Sequence, residues 1–502
     1  MVKKLLLILI SVALVSGLSG CSSSNNTSTA PSKVTLYWWR PNTDAGTETL
    51  EEIKSGYESE NSNVKIEIVT KDIRTYFEEI DAALKAHTTV ENAPDIISLP
   101  AENLPAWTTA LEPAPDNLFE ADLDEKKKTG KTTSELTAEL FEPSVAKSVT
   151  FNGADGTAKI YGLPMAVDNL ALYINTPLTE KAAENMATES KGKISSEEIK
   201  ATKNKITTAP ATWQDLVEIV PYLKIQSGET LSQASIAIGT ADNTERSYDI
   251  LSAIMMQNGT KLTSDDLSAA TFNQTQTSSV GSITPGEQAL KFYLRFADTS
   301  DPVYGWNNDI SDSSLNAFIN GQTAMMIHYA SAYSTIVNKA PALKRSINVA
   351  PLPQIVDPTI PTNANKLKTT ARMWVEAAPN AKSDTRRRAT AWKFIRYITS
   401  KSGVSAYLSA MMLPSALQGQ TGKAKFEAFA NQKTYADVWY KGSQPDEVDT
   451  SFISLIAQAR SGGSLKDALD KANSDISTIL QKSLAKWATA AATTNSGLEN
   501  EN

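Results

Sequence analysis

Few of the 502 residues are of a type that does covalent or metal chemistry. There are two histidines, His87 and His328, and a single cysteine, Cys21. One thiol forms no internal disulfide, and two imidazoles leave little for zinc or a His-centred triad. No nucleophile-elbow serine and no His-Glu-x-x-His run occurs. Thr129-Gly130-Lys131-Thr132 resembles the end of a phosphate loop, but Glu125 stands where that motif needs glycine. What remains is non-covalent: aromatic planes next to carboxylates, amides and guanidinium groups. Trp38-Trp39-Arg40-Pro41-Asn42 is the densest such run, and Trp39, Arg40 and Asn42 are its candidates for touching a ligand.

The elements around these groups set their positions. Val34 to Trp39 is β-prone, and Leu50, Ile53 and Tyr57 recur at helical spacing. Val64, Ile66 and Ile68 alternate, Ile73 to Leu84 is helical, and Pro94 to Leu99 is a short apolar strand. This β-α-β-α-β order favours a mostly parallel sheet covered on both faces, with ligands beyond the carboxyl ends of strands. Those ends are Trp39 to Asn42 and Pro100 to Asn103, which adds Glu102 and Asn103 to the candidates. Thr212/Asp215, Thr284/Glu287 and Ser464/Asp467 each place an acid three residues after a hydroxyl, as helix starts do. A second β/α alternation follows the first and argues for two α/β lobes. Residues 115–158 and 180–208 are charge-rich and read as solvated helical insertions. The net charge of −8 gives no electrostatic footprint for nucleic acid.

Lys3 and Lys4 followed by Leu5 to Val15 read as a secretory signal, too short to span a bilayer. Leu18-Ser19-Gly20-Cys21 resembles a bacterial lipobox, which predicts a signal over 1–20 and acylation of Cys21. A polar tether follows to residue 32, and the body is expected outside the cytoplasm, anchored to the cell membrane.

Several segments resemble one family when taken in order. They are Tyr161-Gly162-Leu163-Pro164, Leu170 to Asn175, Pro210 to Leu216, Phe318 to Met325, Ala350 to Pro353, Ala391 to Ile395 and Pro414-Ser415-Ala416. Together they are similar to the extracellular solute-binding proteins of bacterial ABC importers, in the maltose-binding-protein-like sugar and oligosaccharide branch. The resemblance spans about 33 to 482. It implies a two-lobed periplasmic-binding-protein fold (type II), with lobe 1 from 33–165 plus 333–400 and lobe 2 from 166–332 plus 401–487, then a polar tail, 488–502. It places chain crossings at Tyr161 to Pro164, near Met326 to Ser331 and near Tyr397 to Gly403. It implies no catalysis, cofactor or metal, and a monomer partnered by a carbohydrate and a membrane permease.

By the same resemblance Glu102 and Asn103 fall where the branch carries an acid and an arginine, and Asn103 departs from the latter. Asp168 falls at a sugar-contacting acid near the hinge. Tyr329 and Tyr333 stand where relatives place aromatic planes, and Arg372 and Trp374 share a face near the returning strand. Trp306, after a Pro-Val-Tyr-Gly loop, and Trp439, before Tyr440, are further candidates. A non-sugar solute such as a peptide, polyamine or phosphorylated polyol fits the same fold. A surface glycoside hydrolase using Glu102 and Asp168 is a further alternative, needing carboxyl groups about 5–5.5 or 6.5–9.5 Å apart.

Overall fold

A computed structural model describes residues 33–42, 47–86, 92–120, 130–228, 230–278, 281–356, 367–380, 384–420 and 427–496, with side chains to Ala485. The signal, Cys21, the tether, His87 and the 126–128 lysine run lie outside the described residues.

Along the chain, β1 (Val34–Pro41), β2 (Val64–Lys71), β3 (Ile96–Pro100) and β4 (Leu111–Glu112) come first. A ribbon of β5 (Thr150–Asn152) and β6 (Ala158–Ile160) precedes β7 (Leu163–Pro164). Then come β8 (Asp168–Asn175), β9 (Ile225–Ser227), β10 (Thr230–Ile236) and a second ribbon, β11 (Gln276–Ser278) with β12 (Gly281–Ile283). Finally come β13 (Thr323–Tyr329), β14 (Ile347–Pro351), β15 (Thr369–Arg372), β16 (Trp374–Pro379) and β17 (Ala436–Asp437).

The first sheet runs β2-β1-β3-β16-β4, with β7 on β16; the second runs β17-β15-β8-β13-β10-β9, with β14 on β8. β1 pairs parallel with β2 and β3, as helical crossovers between them require. The returning strand β16 is antiparallel to β3, so both sheets are mixed rather than mostly parallel. Central strands β8 and β13 are almost wholly buried, which suits their unbroken apolar runs; edge strand β2 alternates.

The chain passes from sheet to sheet three times. The first passage, Met165 to Val167 between β7 and β8, follows Gly162 as expected. A Cβ on Gly162 would meet Val375 and come within 2.9 Å of the Glu376 carbonyl, so only glycine lets these hinge strands lie so close. The other two passages correct the expectation. Met326 to Ser331 does not cross: β13, β14 and β15 all stay in the second sheet, and the return falls at Met373 between β15 and β16. Residues 333–372 therefore pair with the second lobe rather than the first. Tyr397 to Gly403 does not cross either, because helix Ser405–Met411 still packs on helix Thr47–Glu60 of the first lobe. The third passage runs past Pro414 to Ala416, hydrogen-bonded along Met165 to Val167.

The insertions differ from each other. In the 180–208 stretch, helix Ser196–Thr207 buries only Ile206, while helix Thr176–Ser190 buries Ala182, Ala183 and Met186. Residues 115–158 instead supply Phe119, Phe141, Val145 and Val149 to the core, so their charge density hides a packed stripe. Thr212 and Asp215 form the expected capping box, and Ser464 Oγ accepts from Asp467 N–H. Thr284 precedes its helix without a side-chain cap; its hydroxyl lies 3.1 Å from that of Thr275 instead.

Candidate functional site

Where the two sheets meet, β8 begins with Asp168 and β15 ends with Arg372, and the two are register partners. Asp168 Oδ1 accepts the Ala330 N–H at 2.7 Å, and its carboxyl also bonds Ser331. Burial pushes the Asp168 carboxyl above its ordinary range, while Ser331 and Arg372 pull the other way. The Arg372 guanidinium carbon sits 5.1 Å from the centre of the Tyr329 ring, and that of Arg246 sits 5.8 Å away. Burial opposes the Arg372 charge. Tyr329, Asp249, Glu102 and Asp168 more than offset that and raise it.

Lys441 closes the other side. Its ammonium lies 3.1 Å from Asp249 Oδ1 and 2.7 Å from Asp449 Oδ1, and its backbone N–H donates to the Glu102 carbonyl across the lobe boundary at 3.0 Å. Burial works against ionising Asp249, yet Lys441, Arg246 and Arg372 hold it below the usual carboxylate range. Asp449 is pushed up to about 6, chiefly by burial. Glu102 is likewise raised by burial, against the pull of Lys441 and Arg372.

Three polar atoms in this cluster are buried without a hydrogen-bond partner among the described residues: Glu102 Oε2, Asn103 Oδ1 and the Tyr329 hydroxyl oxygen. Such atoms are rare in folded proteins, and each left unpaired costs about 1–3 kcal/mol. Half-buried Trp374, two residues beyond Arg372, supplies an aromatic face. The arrangement offers donors, acceptors and a ring surface at the junction of two lobes, which suits a guest rich in hydroxyls.

The structure thus brings Glu102, Asp168, Tyr329 and Arg372 into one cluster, with Asn103 next to Glu102 and Trp374 two residues beyond Arg372. Tyr333 is buried nearby, on the helix that follows β13. The tryptophan run behaves otherwise. Trp38 and Trp39 are both buried, although Trp39 was a candidate for touching a ligand. Trp39 donates its indole N–H to the Asn92 carbonyl at 3.1 Å, with the Lys71 ammonium 4.1 Å from its ring. Arg40 is not open to a ligand: its guanidinium pairs with fully buried Glu376 at 2.6 Å inside the first lobe. Asn42 is exposed beyond β1. Trp306 is fully buried in the second lobe, its indole N–H shared by Thr240 and Asn243, so it presents no face to the cleft. Arg246, Asp249, Lys441 and Asp449 were not foreseen. Only the lone lysine after Trp439-Tyr440 offered a signal, and it reads like any surface charge. Among the described residues no group of three or more His, Cys, Asp or Glu is placed to hold a metal, and no helix is long and apolar enough to cross a membrane.

The two-lobed fold agrees with the comparisons. Residues 52–428 match the model of the bacterial extracellular solute-binding protein family, and the chain belongs to that family. No curated protein matches it by sequence. Among solved structures, the sugar-binding protein MalE of Xanthomonas citri superposes with a TM-score of 0.63 at 16% identity, covering 93% of this chain and 100% of that one. A cyclic α-maltosyl-1,6-maltose binding protein from Arthrobacter globiformis gives 0.63 at 14% identity, over 90% and 100% of the two chains. An ABC transporter solute-binding protein of Thermotoga lettingae, bound with α-D-tagatose, gives 0.58 at 19% identity, over 89% and 100%. These likenesses fix the fold as that of two-lobed solute-binding proteins.

Proposed function

We propose that this protein captures a neutral saccharide between its lobes and hands it to an ABC permease, making and breaking no bond. The unpaired Glu102, Asn103 and Tyr329 atoms beside Arg372 carry the reading: they are hydrogen-bonding capacity without a partner, at the place where a solute-binding fold closes. The names of the structural neighbours, which bind sugars, support the same choice of ligand. Cations and carboxylates nearly balance around Arg372, which favours an uncharged guest over a strongly ionic one.

Calorimetry of the mature chain against mono- and oligosaccharides tests this. At least one sugar binds, and Arg372→Met weakens it about 10–100-fold, as losing a charged hydrogen-bond donor does. A panel that binds nothing ends the sugar reading. Equal affinity in the variant moves the site elsewhere.

Anchoring belongs to the same proposal, through diacylglycerol on Cys21. Cys21→Ser moves the protein from the membrane to the soluble fraction with ligand affinity unchanged. Retention of the variant on alkali-washed membranes refutes the anchor.

A further inference from the structure

Residues 138–149 reach across the lobe boundary from within a charge-rich insertion. Helix Pro143–Val149 lies against β7 of the first lobe. Its partner is Lys433, one residue after helix Glu427–Gln432, which packs on β8 and β14 of the second lobe. Glu142 Oε1 accepts from the Lys433 ammonium at 2.8 Å, and both side chains are 5% exposed. The same ammonium donates to the carbonyls of Ser415, Leu417 and Gln420, in and just beyond the third passage between the sheets. A buried cation is tolerated when acceptors surround it in this way.

Two segments hold the backbone of that passage. Met165 to Val167 is one, and the insertion is the other. The Glu142 N–H donates to the Ala416 carbonyl and the Gln418 N–H to that of Leu140, each at 2.9 Å. Five residues on, about 7.5 Å along a helix, Lys147 meets Asp437 of β17 at 3.0 Å. Lys368 holds the other oxygen of that carboxylate at 3.0 Å. Lys147 and Asp437 face the same gap as Ala101 and Pro105, which bracket Glu102 and Asn103, so parting the lobes separates them.

We propose that residues 138–149 form an interlobe strap, in which Glu142 pins the hinge through Lys433 and Lys147 resists opening through Asp437. The inner pair lies at the pivot and survives a rotation of the lobes; the outer pair lies on the cleft side and is lost in it. A contact present only with the lobes together shifts the balance toward closure and slows release. The effect on affinity rests on the proposed capture of a solute between the lobes; the effect on lobe motion does not.

The test follows amide hydrogen exchange at single residues in the mature, ligand-free protein. The Lys441 N–H, bonded to the Glu102 carbonyl across the lobe boundary, reports opening, and the Gln418 N–H reports the hinge. Lys147→Glu turns attraction to Asp437 into repulsion at a side chain 68% exposed, so folding is spared. Lys441 then exchanges about two- to tenfold faster, while β8 and β13 keep wild-type rates. Lys147→Arg, and Lys193→Glu at an exposed position elsewhere, leave the Lys441 rate unchanged. Glu142→Gln speeds exchange at Gln418 at least tenfold. With a sugar that binds, Lys147→Glu weakens affinity about two- to tenfold by calorimetry. A wild-type Lys441 rate in Lys147→Glu overturns the strap. So does equal acceleration in Lys193→Glu, which would be net charge, or in β8 and β13, which would be general destabilisation. A wild-type Gln418 rate in Glu142→Gln removes Glu142 from the hinge. Failure of the solute reading shows separately, as a sugar panel that binds nothing with both exchange effects intact.

Discussion

Arg40→Met should damage stability and leave binding alone, the reverse of what its place at the end of β1 suggests. Glu376 is fully buried, and its carboxylate accepts from Arg40 Nη1, Trp38 Nε1 and Ser98 Oγ, each at 2.6 Å. Removing the only one of these three donors that carries a charge leaves an uncompensated carboxylate inside the first lobe, a change that costs about 3–5 kcal/mol. The guanidinium also lies 4.7 Å from the Trp38 ring centre, a contact worth about 1 kcal/mol more. With a urea dependence of about 2–3 kcal/mol per molar, the unfolding midpoint falls by about 1–3 M. Adding Glu376→Gln recovers roughly half of the loss, because a neutral amide still accepts from Trp38 and Ser98 without needing a cation. Urea titrations followed by tryptophan fluorescence read both numbers, and calorimetry of the folded variant shows ligand affinity within about twofold of wild type. A midpoint unmoved by Arg40→Met, or a tenfold loss of affinity at unchanged stability, would refute the assignment of Arg40 to the core.

Asp449, pushed up to about 6, holds a proton in the folded state over a pH range where the unfolded chain has released it. Stability of wild type relative to Asp449→Asn therefore falls as pH rises from about 4 to 6, by up to about 2–3 kcal/mol, measurable by denaturation at stepped pH; a flat difference contradicts the burial of that carboxyl. Gly162→Ala forces a methyl group against Val375 and the Glu376 carbonyl, so the hinge strands must part. A loss of about 1–3 kcal/mol is expected in the same assay, and a silent substitution would mean that the strands separate freely.

Much of the architecture was legible because it is written in local periodicity. The β-α-β-α-β opening and the Thr212 box depend on residues a few positions apart, whereas the Gly162 crossing was placed by the family resemblance and the contacts that demand glycine there come from Val375 and Glu376. The later crossings were misplaced because lobe membership after Tyr333 depends on which strand β14 and β15 meet, and their partner β8 lies more than 150 residues upstream in sequence. The site divided along the same line. Glu102 follows a strand end that the pattern locates, whereas Asp168, Arg372 and Trp374 were reached through the family resemblance. Asp249, Lys441 and Asp449 come from separate helices and loops and meet only in the fold. Arg40 misled for the complementary reason: its partner Glu376 is remote in sequence, so nothing nearby showed that its charge was already spoken for.

The placement of β16 between β3 and β4 bears on how the molecule is made. The amino-terminal lobe lacks an interior strand until Trp374 emerges, after nearly the whole second sheet has been synthesised. Its early segments must wait with an open seam between β3 and β4. A chain unable to finish its first half early stays threadable, which is what a translocation channel requires of an exported protein.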